Sequence, residues 1–117
     1  MSRNRIAVVV GVLAVFVIVG GILIYAKRGG GQNVTFDVTV TGGSTMKPGD
    51  LSAHQNDTVT INVTSDTDGE LHLHGYDISL SARKGQTVSQ TFKADKTGNF
   101  EIEWEGTGKK LGRLAVT

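Results

Sequence analysis

Residues 33–41 read Asn-Val-Thr-Phe-Asp-Val-Thr-Val-Thr, and in this run Val34, Phe36, Val38 and Val40 alternate without a break against Thr35, Asp37, Thr39 and Thr41. Successive side chains of an extended backbone point to opposite faces, so the run has one apolar and one polar face. It reads as a half-buried strand. The pattern returns at Val59, Ile61 and Val63 against Thr58, Thr60, Asn62 and Thr64. Leu71 and Leu73 mark a third short strand, and Ile78 and Leu80 continue it beyond Gly75. Further strands are expected over 87–94, 99–104 and 111–117. Turn residues punctuate the series at Thr41-Gly42-Gly43, Pro48-Gly49-Asp50, Asp66-Thr67-Asp68-Gly69, Lys84-Gly85 and Lys96-Thr97-Gly98. Six or seven short strands with no amphipathic helix among them predict an antiparallel β-sandwich over 33–117.

The chain ahead of this domain has a different character. Residues 6–26 are apolar or glycine except at Tyr25 and carry no charge. At ~1.5 Å rise per residue such a stretch, as a helix, crosses a hydrocarbon core of about 30 Å. The expected organisation is a short basic N-terminus over 1–5, a transmembrane helix over 6–26, a Gly-rich tether over 27–32 and the β-domain. A cleaved signal peptide is the competing reading, but the apolar run is longer than the roughly 7–15 residues usual there, and no small-x-small cleavage pattern precedes Lys27. Arg3 and Arg5 on one side and Lys27 and Arg28 on the other give only a slight charge bias, which places the N-terminus in the cytoplasm and the domain outside. The expected location is therefore the cell membrane, single-pass, with the C-terminal domain extracytoplasmic.

From Gly29 onward eight Lys and Arg stand against eleven Asp and Glu, a net charge of −3. Nucleic-acid binding runs on clustered positive charge, so no nucleic-acid partner is expected. The chain has no cysteine, which removes disulfide staples, thiolate ligands and cysteine nucleophiles together. The domain must then fold on its hydrophobic core alone, as a monomer, with no cofactor required.

Two of the three histidines, His72 and His74, lie in Glu-Leu-His-Leu-His-Gly-Tyr-Asp over 70–77. At positions i and i+2 of a strand they share a face, with Cα atoms roughly 6.5–7 Å apart, and two imidazoles so placed can share one ion. Glu70 continues the same face, Asp77 lies just past Gly75, and Glu103 and Glu105 would complete a shell from an adjacent strand. Copper(II) suits such nitrogen and oxygen donors best, with zinc next. The competing reading leaves both histidines on the polar face, hydrogen-bonded to neighbours.

The segments His74-Gly75-Tyr76, Lys84-Gly85-Gln86-Thr87, Phe92-Lys93-Ala94-Asp95-Lys96-Thr97-Gly98-Asn99-Phe100 and Leu111-Gly112-Arg113-Leu114-Ala115-Val116 resemble, in order and spacing, the cupredoxin family. The copper domains of cytochrome oxidase subunit II and nitrous oxide reductase look similar. The resemblance implies a Greek-key β-sandwich and a blue-copper site built from one mid-chain histidine, then a cysteine, a histidine and a methionine near the C-terminus. Carried over, the first histidine matches His74, or else His72. The cysteine position falls on Trp104 and the methionine position on Lys110, and no histidine lies between them. The blue-copper redox site is therefore expected to be lost.

Other residues have plainer expected roles. Glu101, Glu103 and Glu105 alternate with Phe100, Ile102 and Trp104 and read as a solvated face, answered by Lys109, Lys110 and Arg113. Trp104 reads as packing, His54 as an exposed turn residue and Met46 as a loop side chain. No Ser, His and acid set and no phosphate-cradling glycine loop is identifiable, so the chain is not expected to be an enzyme. Two functions remain. One is a membrane-anchored extracytoplasmic binding or interaction module with an unidentified protein partner. The other is a protein that binds and handles copper or another transition metal through His72 and His74.

The anchor reading has a direct check. Full-length protein should stay in the membrane pellet through a carbonate wash, and protease added to intact spheroplasts should cut the domain away. A processed, soluble product would mean a signal peptide, and protection from protease would reverse the topology.

Overall fold

The computed structural model describes residues 16–19, 22–25 and 31–117, with side chains described from residue 31 onward. Eleven strands form among them: β1 (Phe16–Val19), β2 (Ile22–Tyr25), β3 (Asn33–Thr41), β4 (Thr45–Lys47), β5 (Asp50–Ala53), β6 (Thr58–Ser65), β7 (Gly69–Leu73), β8 (Ile78–Ala82), β9 (Thr87–Lys93), β10 (Gly98–Trp104) and β11 (Lys109–Val116). Apart from the backbone of β1 and β2, the expected membrane span over 6–26 lies outside the described residues. No helix among the described residues is long and apolar enough to cross a membrane.

The strands make two sheets. One runs β1-β2-β3-β6-β9, with β4 also paired to β3, and the other runs β5-β11-β10-β7-β8. The alternation read in residues 33–41 is realised in full: Val34, Phe36, Val38 and Val40 are buried, and so are Val59, Ile61 and Val63 on β6. The second sheet answers with Leu51, Leu71, Leu73, Leu80, Ile102, Trp104, Leu111, Leu114 and Val116 in the same core. Fully burying one such aliphatic or aromatic side chain is worth about 1.5–3 kcal/mol, so the two inner faces supply the cohesion that disulfides would otherwise add.

Two expectations need correction. The sandwich is not purely antiparallel, because β3 pairs parallel with β6 and β5 parallel with β11. The chain passes from β4 in one sheet to β5 in the other and back to β6, so strands re-enter each sheet in the same direction as an earlier one. Met46, expected in a loop, lies on β4 opposite Val40 and is buried in the core. The β4 and β5 strands are three and four residues long, on either side of Pro48-Gly49, too short for an alternation to register.

Loops are tied down by polar side chains where they leave the sheets. Asp57 is a buried carboxylate that accepts the backbone N–H of Gln32 at 2.9 Å and of His54 at 2.8 Å, fixing the turn before β6 against the chain before β3. His54 itself keeps its ring exposed, as expected of a turn residue. At the other end Asp66 accepts the N–H of Gly42 at 2.8 Å and Asp68 that of Lys84 at 2.7 Å.

Trp104 sits at the end of β10, buried at 3 % exposure, with its indole laid over Gly43 and Gly69. A Cβ at Gly69 would fall well inside van der Waals contact of the ring, whereas one at Gly106 would meet nothing within 4 Å. Gly69→Ala should therefore cost about 1–3 kcal/mol in a urea unfolding series through overpacking. Gly106→Ala should stay within about 0.5 kcal/mol of the parent.

Candidate metal centre

Strand β7 pairs antiparallel with β10, and the register sets Glu103 opposite His72, with Leu73 opposite Ile102 and Leu71 opposite Trp104. The leucines, Ile102 and Trp104 take the core face, so period-two alternation sends His72 and Glu103 together to the outer face. His74 follows the last residue of β7 and remains laddered to β10 through its N–H, which donates to the carbonyl of Glu101 at 2.9 Å. The chain then turns through Gly75, whose φ of 87° favours glycine, and over which the ring of Phe100 packs where a Cβ would stand. Tyr76 locks this turn. Its hydroxyl donates to the carbonyl of Lys96 at 2.7 Å and accepts the N–H of the same residue at 2.9 Å. The Lys96 ammonium in turn donates to the carbonyl of Gly75 at 2.9 Å, and the Tyr76 ring meets Phe100 edge-on at 4.8 Å.

The two imidazoles lie with centroids 4.3 Å apart and ring planes inclined by 52°. Nε2 of His74 is hydrogen-bonded to Oε1 of Glu103 at 2.5 Å. His72 is mostly buried. Its Nδ1 stands 3.0 Å from Oε2 of Glu105 without a hydrogen bond, the contact being close but off the line that an N–H requires, and its Nε2 is 3.9 Å from Oδ1 of Asp77.

Among the described residues, His72, His74 and Glu103 offer ligand atoms that all lie within 4.8 Å of one another. Ligand atoms bound to one first-row ion at about 2.1 Å stand roughly 3–4 Å apart, so small side-chain rotations bring these three into a first coordination shell. Two imidazoles and a carboxylate fit a borderline or hard ion such as copper(II) or zinc. Sulfur is absent from the set, since the chain has no cysteine and Met46 is in the core.

The sequence-derived candidates separate here. His72 and His74 come together, as their spacing requires. Glu70 shares the outer face of β7, lies opposite Ser81 on β8 and outside the three-residue group, and uses its backbone carbonyl to receive the N–H of Glu105 at 2.9 Å. Asp77 also lies outside the group and is fully exposed. Glu103, read both as part of a solvated face and as a shell donor from an adjacent strand, is half-buried against the histidines, while Glu101 and Glu105 remain exposed. Arg113, expected to answer the glutamates, makes its ion pair with Asp50 at 3.3 Å.

No protein-family model and no curated protein matches the chain. Solved structures do. A copper binding protein in the apo form, determined by NMR, superposes with a TM-score of 0.63 over 79 % of this chain and 93 % of its own, at 14 % identity. A chain of a heme-copper terminal oxidase dimer matches at 0.65 over 97 % of this chain and 90 % of its own, at 16 % identity. The metal binding domain of the Cu(I)-exporting P-type ATPase CopA of Streptococcus pneumoniae D39, with Cu(I), matches at 0.65 over 79 % and 91 %, at 14 % identity. The fold is cupredoxin-like.

In this cupredoxin-like chain the position that the resemblance assigns to cysteine holds the buried indole of Trp104, and the methionine position holds the exposed Lys110, paired in register with Glu103. Neither side chain can complete a sulfur-ligated site.

Electrostatics around the pair follow from the carboxylates. The hydrogen bond that His74 donates to Glu103 raises the pKa of His74 above its ordinary value of 6.5. Partial desolvation opposes the shift, and the charges of Glu103, Glu101 and Glu105 add to it. A raised folded-state pKa contributes stability that is complete below the unfolded value and is lost as pH rises through the folded one. Glu103→Gln should therefore lower the His74 midpoint toward 6.5 in an NMR titration. It should also destabilise the protein more at about pH 5.5 than at about pH 9. An unmoved midpoint would contradict the pairing.

Proposed function

We propose that this protein is a membrane-tethered, extracytoplasmic cupredoxin-like module that binds copper(II) through His72, His74 and Glu103 and does not act as a blue-copper electron carrier. The observation that carries the reading is the convergence of two imidazoles and one carboxylate within 4.8 Å on the outer face of one sheet. Support comes also from the company the fold keeps, since the similar structures include a copper binding protein and a Cu(I)-bearing metal binding domain. This chain differs from a Cu(I) carrier in its donors. Cu(I) is best held by thiolate and thioether, whereas imidazole and carboxylate favour the divalent ion. His74 is partly open to solvent, so an ion can enter and leave without unfolding the sheet. Such access suits a module that takes up copper outside the membrane and yields it to a protein partner.

Isothermal titration of full-length protein with copper(II) should show one ion per chain. His72→Ala, His74→Ala and Glu103→Ala should each weaken binding by at least about tenfold, losses no smaller than those seen when residues behind a metal's ligands are removed. His54→Ala should leave binding unchanged, because that histidine lies on a separate turn. The loaded protein should lack the intense visible band of a copper–thiolate bond. A His72→Ala, His74→Ala double variant that binds as tightly as the parent would overturn the assignment, and a blue product would overturn the loss of the redox site.

A further inference from the structure

We infer that Glu105 is a positioning residue for the metal centre: its carboxylate fixes the proton of His72 on Nδ1 and so leaves Nε2 free to ligate. The inference rests on the copper reading above and deepens it. Three observations carry it. Nδ1 of His72 is buried and has no hydrogen-bond partner, yet it stands 3.0 Å from Oε2 of Glu105. Glu105 lies outside the group of three residues whose ligand atoms converge, while its carboxylate stands beside Nδ1 of the His72 ring. The backbone of Glu105 is held in place by its N–H, which donates to the carbonyl of Glu70 at 2.9 Å, while its side chain is about half exposed.

The chemistry follows from the ring. A neutral imidazole carries one N–H and one lone pair, and a buried Nδ1 beside a carboxylate is the nitrogen that keeps the proton, since a lone pair there would face negative charge. An ion arriving from solvent cannot reach the buried Nδ1 and meets only Nε2. A carboxylate behind a metal-bound histidine fixes the tautomer and the ring orientation and raises the basicity of the ligating nitrogen. The alternation that puts Glu103 on the ligand side of the histidines thus places Glu105, two residues on, behind one of them.

Long-range nitrogen–proton correlation spectra of the metal-free, full-length protein at about pH 8, where an ordinary imidazole is neutral, read the tautomer directly. The parent should show His72 protonated on Nδ1. Glu105→Leu should shift the population toward Nε2–H and weaken copper(II) binding by about ten- to a hundredfold. Glu105→Gln, whose amide oxygen still accepts from Nδ1–H, should keep the tautomer and recover most of the affinity. An Nε2–H tautomer in the parent, or a Glu105→Leu variant that keeps both tautomer and affinity, would overturn the role of Glu105 while leaving His72, His74 and Glu103 as the site. A parent that takes up no copper(II) would overturn both.

Discussion

The antiparallel register between β7 and β10, which sets Glu103 opposite His72, is the constraint on which the rest of the site depends. A slip of one residue would turn Glu103 and Glu105 into the core and expel Ile102 and Trp104 to solvent, because side chains alternate with a period of two. The penalty for that exchange is set on the opposite face of the sheet from the candidate ligands. Trp104 fills the hollow left by Gly43 and Gly69, and Ile102, Leu71 and Leu73 are each about 1 % exposed. Core packing on one side of the sheet therefore positions the polar constellation on the other. The centre needs no separate scaffold.

Most of the strands were legible because their signal is local. The alternation at Val34 to Val40 and at Val59 to Val63 is visible in the sequence, and a half-buried sheet is the arrangement that satisfies it. What escaped is non-local or short. Parallel pairing of β3 with β6 and of β5 with β11 depends on which sheet the chain enters after each crossing, and no residue pattern encodes that. Met46 was misplaced because Pro48 and Gly49 signal a turn, while the three residues of β4 are too few to show a buried face. At the site, His72 and His74 could be paired from their spacing alone. Glu103 and Glu105 could be offered as donors from an adjacent strand, but which of them joins the histidines could not be read, because glutamates alternating with apolar residues look the same whether they face water or a histidine on the next strand.

A second layer of order surrounds His74. The turn that follows it is closed by Gly75 under the ring of Phe100, by both backbone hydrogen bonds of Lys96 to the Tyr76 hydroxyl, and by the Lys96 ammonium on the Gly75 carbonyl. These contacts link the turn after β7 to the loop between β9 and β10, so the backbone that presents His74 is fixed from two sides. Binding an ion there would cost little chain entropy, because the backbone is already arrested and only side-chain rotations would remain. The motif His74-Gly75-Tyr76 is in this sense one structural unit: the histidine offers the donor, the glycine permits the bend and the tyrosine fastens it.

The same arrangement bears on what an ion held at the proposed site would do. Rapid electron transfer needs a coordination shell that changes little between the two oxidation states of copper, and thiolate and thioether donors shield Cu(I) in such shells. The candidate donors are two imidazoles and a carboxylate, with the charges of Glu101 and Glu105 close by, a field that would favour the divalent ion. Reduction would weaken the hold of the carboxylate and leave Cu(I) without a sulfur ligand. On the proposed reading, loss of the ion on reduction would be a consequence of the donor set. On that reading the grip of this face on copper would depend on the oxidation state of the ion.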